Sequence, residues 1–352
     1  MLKGHPKGLA VLFLSNMGER FGYYTMLSIF ALFLEARFGL AEQEVGSIYG
    51  NFLFAVYFLP LFGGWLADRI GYARVVLAGL FFMLLGYVLM SVPFDRLTLV
   101  YASLLVVALG TGFFKGNLVV LLGNLYEKEP FKALQGAAFN IFYMGINVGA
   151  FFSPYAATGI RDYMLTRAGF AYDARIPGLA HQVLAGTATD TSKLTSLVDP
   201  AVLGRFADVK AFAAAYVDAL ATGYNAGFAI AAVSVVVSLA VFVLLKKHYA
   251  HADIAGSRSK LASTADDLTP QQTRARLGAL ITVFFVVIFF WMAFHQSGLT
   301  LTWFAKNYTV GAVDRVTKVF FDLPALLSGI AAVIGLVFLV KPVSTGKARG
   351  LG

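Results

Sequence analysis

Long apolar stretches separated by short polar ones dominate the chain. Eight of them approach or exceed the roughly 20 apolar residues that a bilayer crossing needs: about 8–34, 45–66, 74–93, 97–125, 133–158, 222–245, 276–304 and 320–340. They are too long for strands and lack the strict alternation of a barrel, so helices are predicted. The opening, Lys3 to Lys7 followed by an apolar run, has the outline of a signal peptide. The apolar pattern resumes after Glu19-Arg20 and runs to Phe33, however, so the first stretch reads as a retained span.

The polar stretches organise the rest. Residues 160–221 form a long outer segment, Ala-rich and polar. Asp199 fits an N-cap and Pro200 a first helical position. Val202, Phe206, Val209, Ala213 and Tyr216 fall on one face, which predicts a surface helix capping the outer side. Residues 246–269 carry charge and Ser, Thr and Asp without apolar periodicity, as a linker would. Thr269-Pro270-Gln271-Gln272 is a capping box that should start the seventh helix. The pattern thus predicts a six-helix unit over 1–245, a linker over 246–269 and a partial second unit over 270–352, with the chain expected to stop short of a full set.

Composition narrows the class. Of 352 residues, 59% are hydrophobic and 13% charged, against roughly 45–50% and about 25% in soluble domains. That excludes a soluble enzyme, a nucleic-acid-binding domain and a disordered chain. The net charge of +9 belongs on membrane-flanking loops. With the N-terminus inside, the inner segments hold Lys3, Lys7, Arg69, Arg74, Lys128, Lys132, Lys246, Lys247 and further basic residues, while much of the outer basic charge sits in one long loop that the orientation rule discounts. Both termini are expected to be cytoplasmic. The absence of Cys excludes disulfides and thiol chemistry, and five scattered His give no metal cluster. No nucleophile–base pair is visible, so neither an enzyme nor a bound cofactor is expected.

Ionisable residues at bilayer depth cost about 2.5–3.5 kcal/mol each on insertion scales and need a reason. Glu19, Arg20, Lys115 and His295 are such residues. Asn16, Glu19, Arg20 and Tyr23 share one face of the first helix, and Asn140, Tyr143 and Asn147 one face of the fifth. Glu19 cancels Arg20 and leaves Lys115 as surplus positive charge. A carboxylate-bearing substrate would supply its partner, while snorkelling is the alternative. His295 is either a neutral core residue or a group that titrates near neutral pH.

Two sets of motifs carry a resemblance. Gly64-Trp65-Leu66-Ala67-Asp68-Arg69-Ile70-Gly71-Tyr72-Ala73-Arg74 resembles the loop between spans two and three of the major facilitator superfamily. Glu19-Arg20-Phe21-Gly22-Tyr23-Tyr24, Phe113-Phe114-Lys115-Gly116-Asn117, the block Phe142-Tyr143-Met144-Gly145-Ile146-Asn147-Val148-Gly149-Ala150, and Phe290-Trp291 with Phe294-His295-Gln296 resemble motifs of the proton-dependent oligopeptide transporter family, in its order and spacing. The resemblance implies an all-α polytopic membrane protein: a major facilitator-type six-helix N-terminal bundle and an incomplete C-terminal bundle, about eight transmembrane helices in all.

It also implies a monomeric, proton-coupled symporter of di- and tripeptides in the bacterial inner membrane, with protons as the coupling ion. Arg20 and Lys115 would bind the peptide carboxylate, and Tyr23, Tyr24, Tyr57, Asn147 and Trp291 would line the pocket. Glu19 would couple protons, and Gly64, Asp68, Arg69, Gly71 and Arg74 would form the conformational loop. Departures from the pattern are Asn16 for an acid, His295 for an acid, which makes His295 a second proton-coupling candidate, and Gly116 for Pro. The family also has at least twelve spans. A carrier for another small carboxylate and a non-transporting membrane protein remain the alternatives.

Overall fold

The computed structural model describes residues 4–253 and 269–310, with a few positions beyond (313–314, 316–317, 327 and 330–331). It divides into two compact units, 1–307 and 308–352. The described residues contain helices and no strand. The predicted eighth span, 320–340, lies almost entirely outside the described residues, as does most of the 246–269 linker.

Helix α1 (Lys7–Phe38) has more than half of its residues buried and forms the axis of the bundle. Gly39, at φ 64°, ends it by donating its N–H to Glu35 O at 2.8 Å, a left-handed stop that glycine adopts without strain. Helices α2 (Glu42–Phe58) and α3 (Pro60–Ile70) form one crossing, broken at Leu59 where Pro60 lacks a donor. Helices α4 (Tyr72–Ser91), α5 (Leu97–Leu125) and α6 (Gln135–Arg167) complete the first five spans. Small residues let backbones approach, as membrane packing requires. A Cβ on Gly79 would meet Gly110 O at 2.8 Å, and one on Gly110 would meet Gly79 O at 2.7 Å, which locks α4 against α5.

Among the described residues, five stretches are long and apolar enough to cross a membrane: 42–70, 72–91, 97–125, 209–244 and 270–308. Helices α1 and α6, of 32 and 33 residues, match them in length. Their polar stripes lower their hydropathy, which is the same feature that marks them as cavity walls.

Residues 160–221 depart from expectation. Asp199 does cap a helix, its carboxylate accepting from Ala201 N–H at 2.8 Å, but after α7 (Ile176–Leu184) and α8 (Ser192–Thr195) that helix, α9 (Pro200–Leu203), is a single turn. Asp208 starts a new helix by accepting from Ala211 N–H at 2.7 Å. This helix, α10 (Val209–Leu244), runs without a break into the sixth span. Val209, Ala213 and Tyr216 thus belong to the crossing helix and not to a surface cap. The apolar face of 209–221 continues in phase into the face below it, so one long helix buries both. Within this segment α7 packs against the end of α1, its His181 Nε2 2.9 Å from Ala36 O. Asp208→Ala should cost about 1 kcal/mol, read as faster amide exchange confined to the first turn of α10.

Next to it, Asp173 accepts from Arg175 Nη2 at 2.6 Å and Nε at 3.0 Å, and this bonding holds its carboxyl below the ordinary range. That contribution is complete above the carboxyl's unfolded-state pKa and is lost as pH falls through the depressed one.

The seventh helix, α11 (Pro270–His295), begins at the expected capping box: Thr269 Oγ1 accepts from Gln272 N–H at 3.3 Å and Gln272 Oε1 accepts from Thr269 N–H at 3.0 Å. It ends at His295 and not at 304. A tight turn over Gln296–Gly298 separates it from α12 (Thr300–Tyr308). No residue of α11 is buried. Its aromatic contacts with α2 come at the Trp291 and His295 end.

Candidate functional site

A cavity of about 530 Å³ lies between α1, α2, α5, α6 and the end of α11. Arg20, Tyr23 and Tyr24 enter it from α1, Tyr57 from α2, Lys115 from α5, Tyr143 from α6, and Trp291 and His295 from α11. Helical phase explains the α1 set, because Arg20, Tyr23, Tyr24 and Leu27 recur at three- and four-residue steps.

The charges are arranged in two groups. Arg20 Nε and Nη2 donate to the two Glu19 carboxylate oxygens, each at 2.5 Å. Glu19 is 0% and Arg20 4% exposed. Glu19 thus stands behind Arg20 and does not line the cavity. Fork-on-fork pairing of this kind neutralises both groups while leaving the outer edge of the guanidinium on the cavity. That guanidinium also sits 4.8 Å from the Tyr23 ring centroid.

Lys115 is half-buried, with Nζ 4.5 Å from the Tyr57 ring centroid. Among the described residues no ion pair involves it. Tyr57 Oη in turn lies 2.9 Å from His295 Nε2, and the His295 ring stacks on Trp291 at 5.6 Å. Lys115, Tyr57, His295 and Trp291 thus form one continuous contact chain across the cavity. With Glu19 and Arg20 cancelling, the cavity keeps the positive charge of Lys115.

The remaining predicted residues sit elsewhere. Asn16 is buried and donates to Phe142 O at 3.4 Å, bonding α1 to α6. Asn147 is exposed and outside the lining, because α6 presents Tyr143, Ile146, Ala150 and Ser153 instead. Asn140 is exposed as well. Gly64 lies on α3, Asp68 accepts from Tyr72 Oη at 2.5 Å, and the Arg69 guanidinium covers Trp65 at 3.9 Å. Gly71 takes φ 104° between α3 and α4, and Arg74 donates to Ile70 O at 3.3 Å.

Sequence reading missed three features. Tyr49 lines the cavity fully buried, with a hydroxyl that has no hydrogen-bond partner among the described residues. Lys306 on α12 pairs with Glu35 on α1, and Asn307 donates to Glu42 at 2.9 Å. These contacts tie α12 to the end of α1 and the start of α2. A larger groove of about 880 Å³ runs between α2 and α11 past Phe54, Phe58, Phe284 and Ile288 and shares Tyr57, Trp291 and His295 with the cavity. Its walls are apolar, and the charged groups Arg20 and Lys115 lie only in the smaller cavity.

Membrane-length helices packed around a polar cavity define an integral membrane protein of the major facilitator type. Residues 73–270 match the POT family, and the chain belongs to it. Dipeptide and tripeptide permease A of Escherichia coli is 36% identical over 152 residues, covering 43% of this chain and 30% of the permease. The Salmonella typhimurium permease of the same name gives the same identity and coverage. A crystal structure of a mutant POT peptide transporter in complex with alafosfalin matches with TM-score 0.50 and 26% identity, over 83% of this chain and 47% of that one. Tetrameric PepTSo2 matches in fold with TM-score 0.53 at 22% identity, over 98% and 55%. The match thus spans about a third of the permeases' length and about half that of the solved transporters.

Proposed function

We propose that the chain forms the peptide-binding wall of a proton-coupled symporter for di- and tripeptides in the bacterial cytoplasmic membrane, acting as a monomer. One observation carries this reading: among the described residues Lys115 stands without an anionic partner beside a self-neutralised Glu19–Arg20 pair, in an aromatic-walled cavity of about 530 Å³. A peptide carboxylate supplies the missing charge. The volume lies within the roughly 300–1,000 Å³ of small-ligand sites. Tyr23, Tyr24, Tyr57 and Trp291 provide flat surfaces that accept many side chains, as a carrier of varied peptides requires.

In this reading residues 1–245 form the first bundle, 246–269 the cytoplasmic linker, and α11 opens the second half. Both termini face the cytoplasm. The loop from Gly64 through Asp68, Arg69 and Gly71 to Arg74 is the conformational hinge. The Glu35–Lys306 pair joins α12 to the end of α1 on the outer side. Asn147 is not part of the peptide contact surface in this state. Proton coupling falls chiefly to His295, which lines the cavity and touches Tyr57, while Glu19 is enclosed by Arg20. Protonated His295 and a bound carboxylate would favour each other, which is the reciprocity symport needs.

The test is accumulation of labelled Ala-Ala by proteoliposomes holding the protein, driven by an inward proton gradient. Gradient-dependent uptake, competed by tripeptides and not by acetate or lactate, is expected. His295→Gln should flatten its dependence on external pH between about 5 and 8. Competition by simple monocarboxylates alone would point to a different carrier, and no uptake by the wild type would overturn the transport reading.

A further inference from the structure

After α10 the chain does not leave the bundle directly. Residues 246–253 turn across the inner ends of four helices. Tyr249 is buried, stacks on Phe242 of α10 at 4.6 Å and donates its hydroxyl to Phe242 O at 2.8 Å. His248 O lies against α1, where a Cβ on Gly8 would come within 2.7 Å of it. Asn124, at the end of α5, donates its Nδ2 to Ala252 O at 3.0 Å. Asp253 then reaches α4, its Oδ1 accepting from Ala73 N–H at 3.1 Å. This strap is anchored at every helix it passes.

The last anchor stands out chemically. The first turn of a helix leaves its N–H groups unpaired, and an Asp commonly satisfies one from just before the helix. Here no side chain from the residue preceding α4 can do so, because that residue is Gly71. Gly71 is fixed as glycine twice over. Its φ is 104°, and a Cβ there would come within 3.2 Å of both Asp253 carboxylate oxygens. The cap is therefore supplied from 180 residues away, by the segment that leads toward α11. Its negative charge also suits the positive end of the α4 dipole.

We infer that Asp253 is a positioning residue that ties the connection between the two halves to the Asp68–Arg74 loop. While the strap is seated, α4 is capped and the loop holds its conformation. When the following half moves and draws on the strap, the cap is withdrawn and the loop is released. This goes beyond the transport reading, and its test does not depend on peptide being carried.

The experiment is hydrogen–deuterium exchange on the full chain in lipid nanodiscs, read at the amides of residues 72–75 and 246–253. Asp253→Ala should raise exchange in both segments together, by about fivefold at the first turn of α4, the change expected for a lost cap. Asp253→Asn keeps the accepting oxygen and should stay within about twofold of wild type there. Tyr249→Ala leaves Asp253 in place but frees the strap, and it too should raise exchange at 72–75. The inference is overturned if Asp253→Ala loosens only 249–253, or if Tyr249→Ala leaves 72–75 at the wild-type rate. Should Asp253→Ala fail to fold, the Tyr249→Ala and Asp253→Asn pair decides the matter.

Discussion

Replacing Glu19 with Ala is expected to destabilise the bundle by about 3–5 kcal/mol, the usual cost of stranding one partner of a buried ion pair. Arg20 is 4% exposed, and both of its hydrogen bonds to a side chain end on Glu19. Removing the carboxylate strands a buried guanidinium that keeps only one edge on the cavity. Removing both charges with apolar residues of similar size, as in Glu19→Leu with Arg20→Met, should recover most of the loss. Thermal unfolding of the two variants in the same detergent checks this. A loss below about 1 kcal/mol for Glu19→Ala would mean that cavity water solvates Arg20 well enough to replace its partner.

Lys115→Ala should act the other way round, leaving the fold intact and removing ligand binding. Its ammonium has no carboxylate partner among the described residues, and its contact is the Tyr57 ring. Nothing charged is stranded when it goes. A charge-assisted contact to a substrate carboxylate contributes about 1.5–3 kcal/mol, so affinity for a dipeptide should fall about 10- to 150-fold. The melting temperature should stay at or above that of the wild type. Equilibrium binding and a thermal melt on the same preparation separate the two effects. A variant that binds normally but melts early would make Lys115 a structural residue.

The contrast between Glu19 and Lys115 shows what the sequence exposes and what it hides. Polar groups at three- and four-residue steps on an apolar helix are legible, so the Arg20, Tyr23 and Tyr24 face could be read in advance. Lys115 was legible through its motif and through the cost of charge at bilayer depth, and Tyr57 through the family resemblance alone. The depth of each group within its helix packing was not legible. Asn16 and Glu19 share the face of Arg20, yet α6 and Arg20 itself cover them. Asn147 sits one residue past Ile146, and on a 33-residue helix that rotation is enough to turn it out of the lining.

Helix existence followed from apolar length, whereas helix ends did not. Helix α10 extends outward to Val209 because Asp208 caps it and its inner face stays apolar, a continuity that a 20-residue window cuts off. Contacts between residues remote in sequence left no local trace. Glu35 and Lys306 are 271 positions apart, and Ala73 and Asp253 are 180 apart. Tyr49 was hidden for another reason. A tyrosine on an apolar face looks like core until its hydroxyl is seen to lack a partner.

The claim that the cavity recognises a peptide carboxylate is tested most directly by calorimetric titration of the purified protein with Ala-Ala and with Ala-Ala amide, which differ in that one group. Binding of the free acid is expected to be at least about tenfold tighter than that of the amide, with the difference abolished in Lys115→Ala. Equal affinity for acid and amide in the wild type, or an unchanged preference in Lys115→Ala, would contradict it.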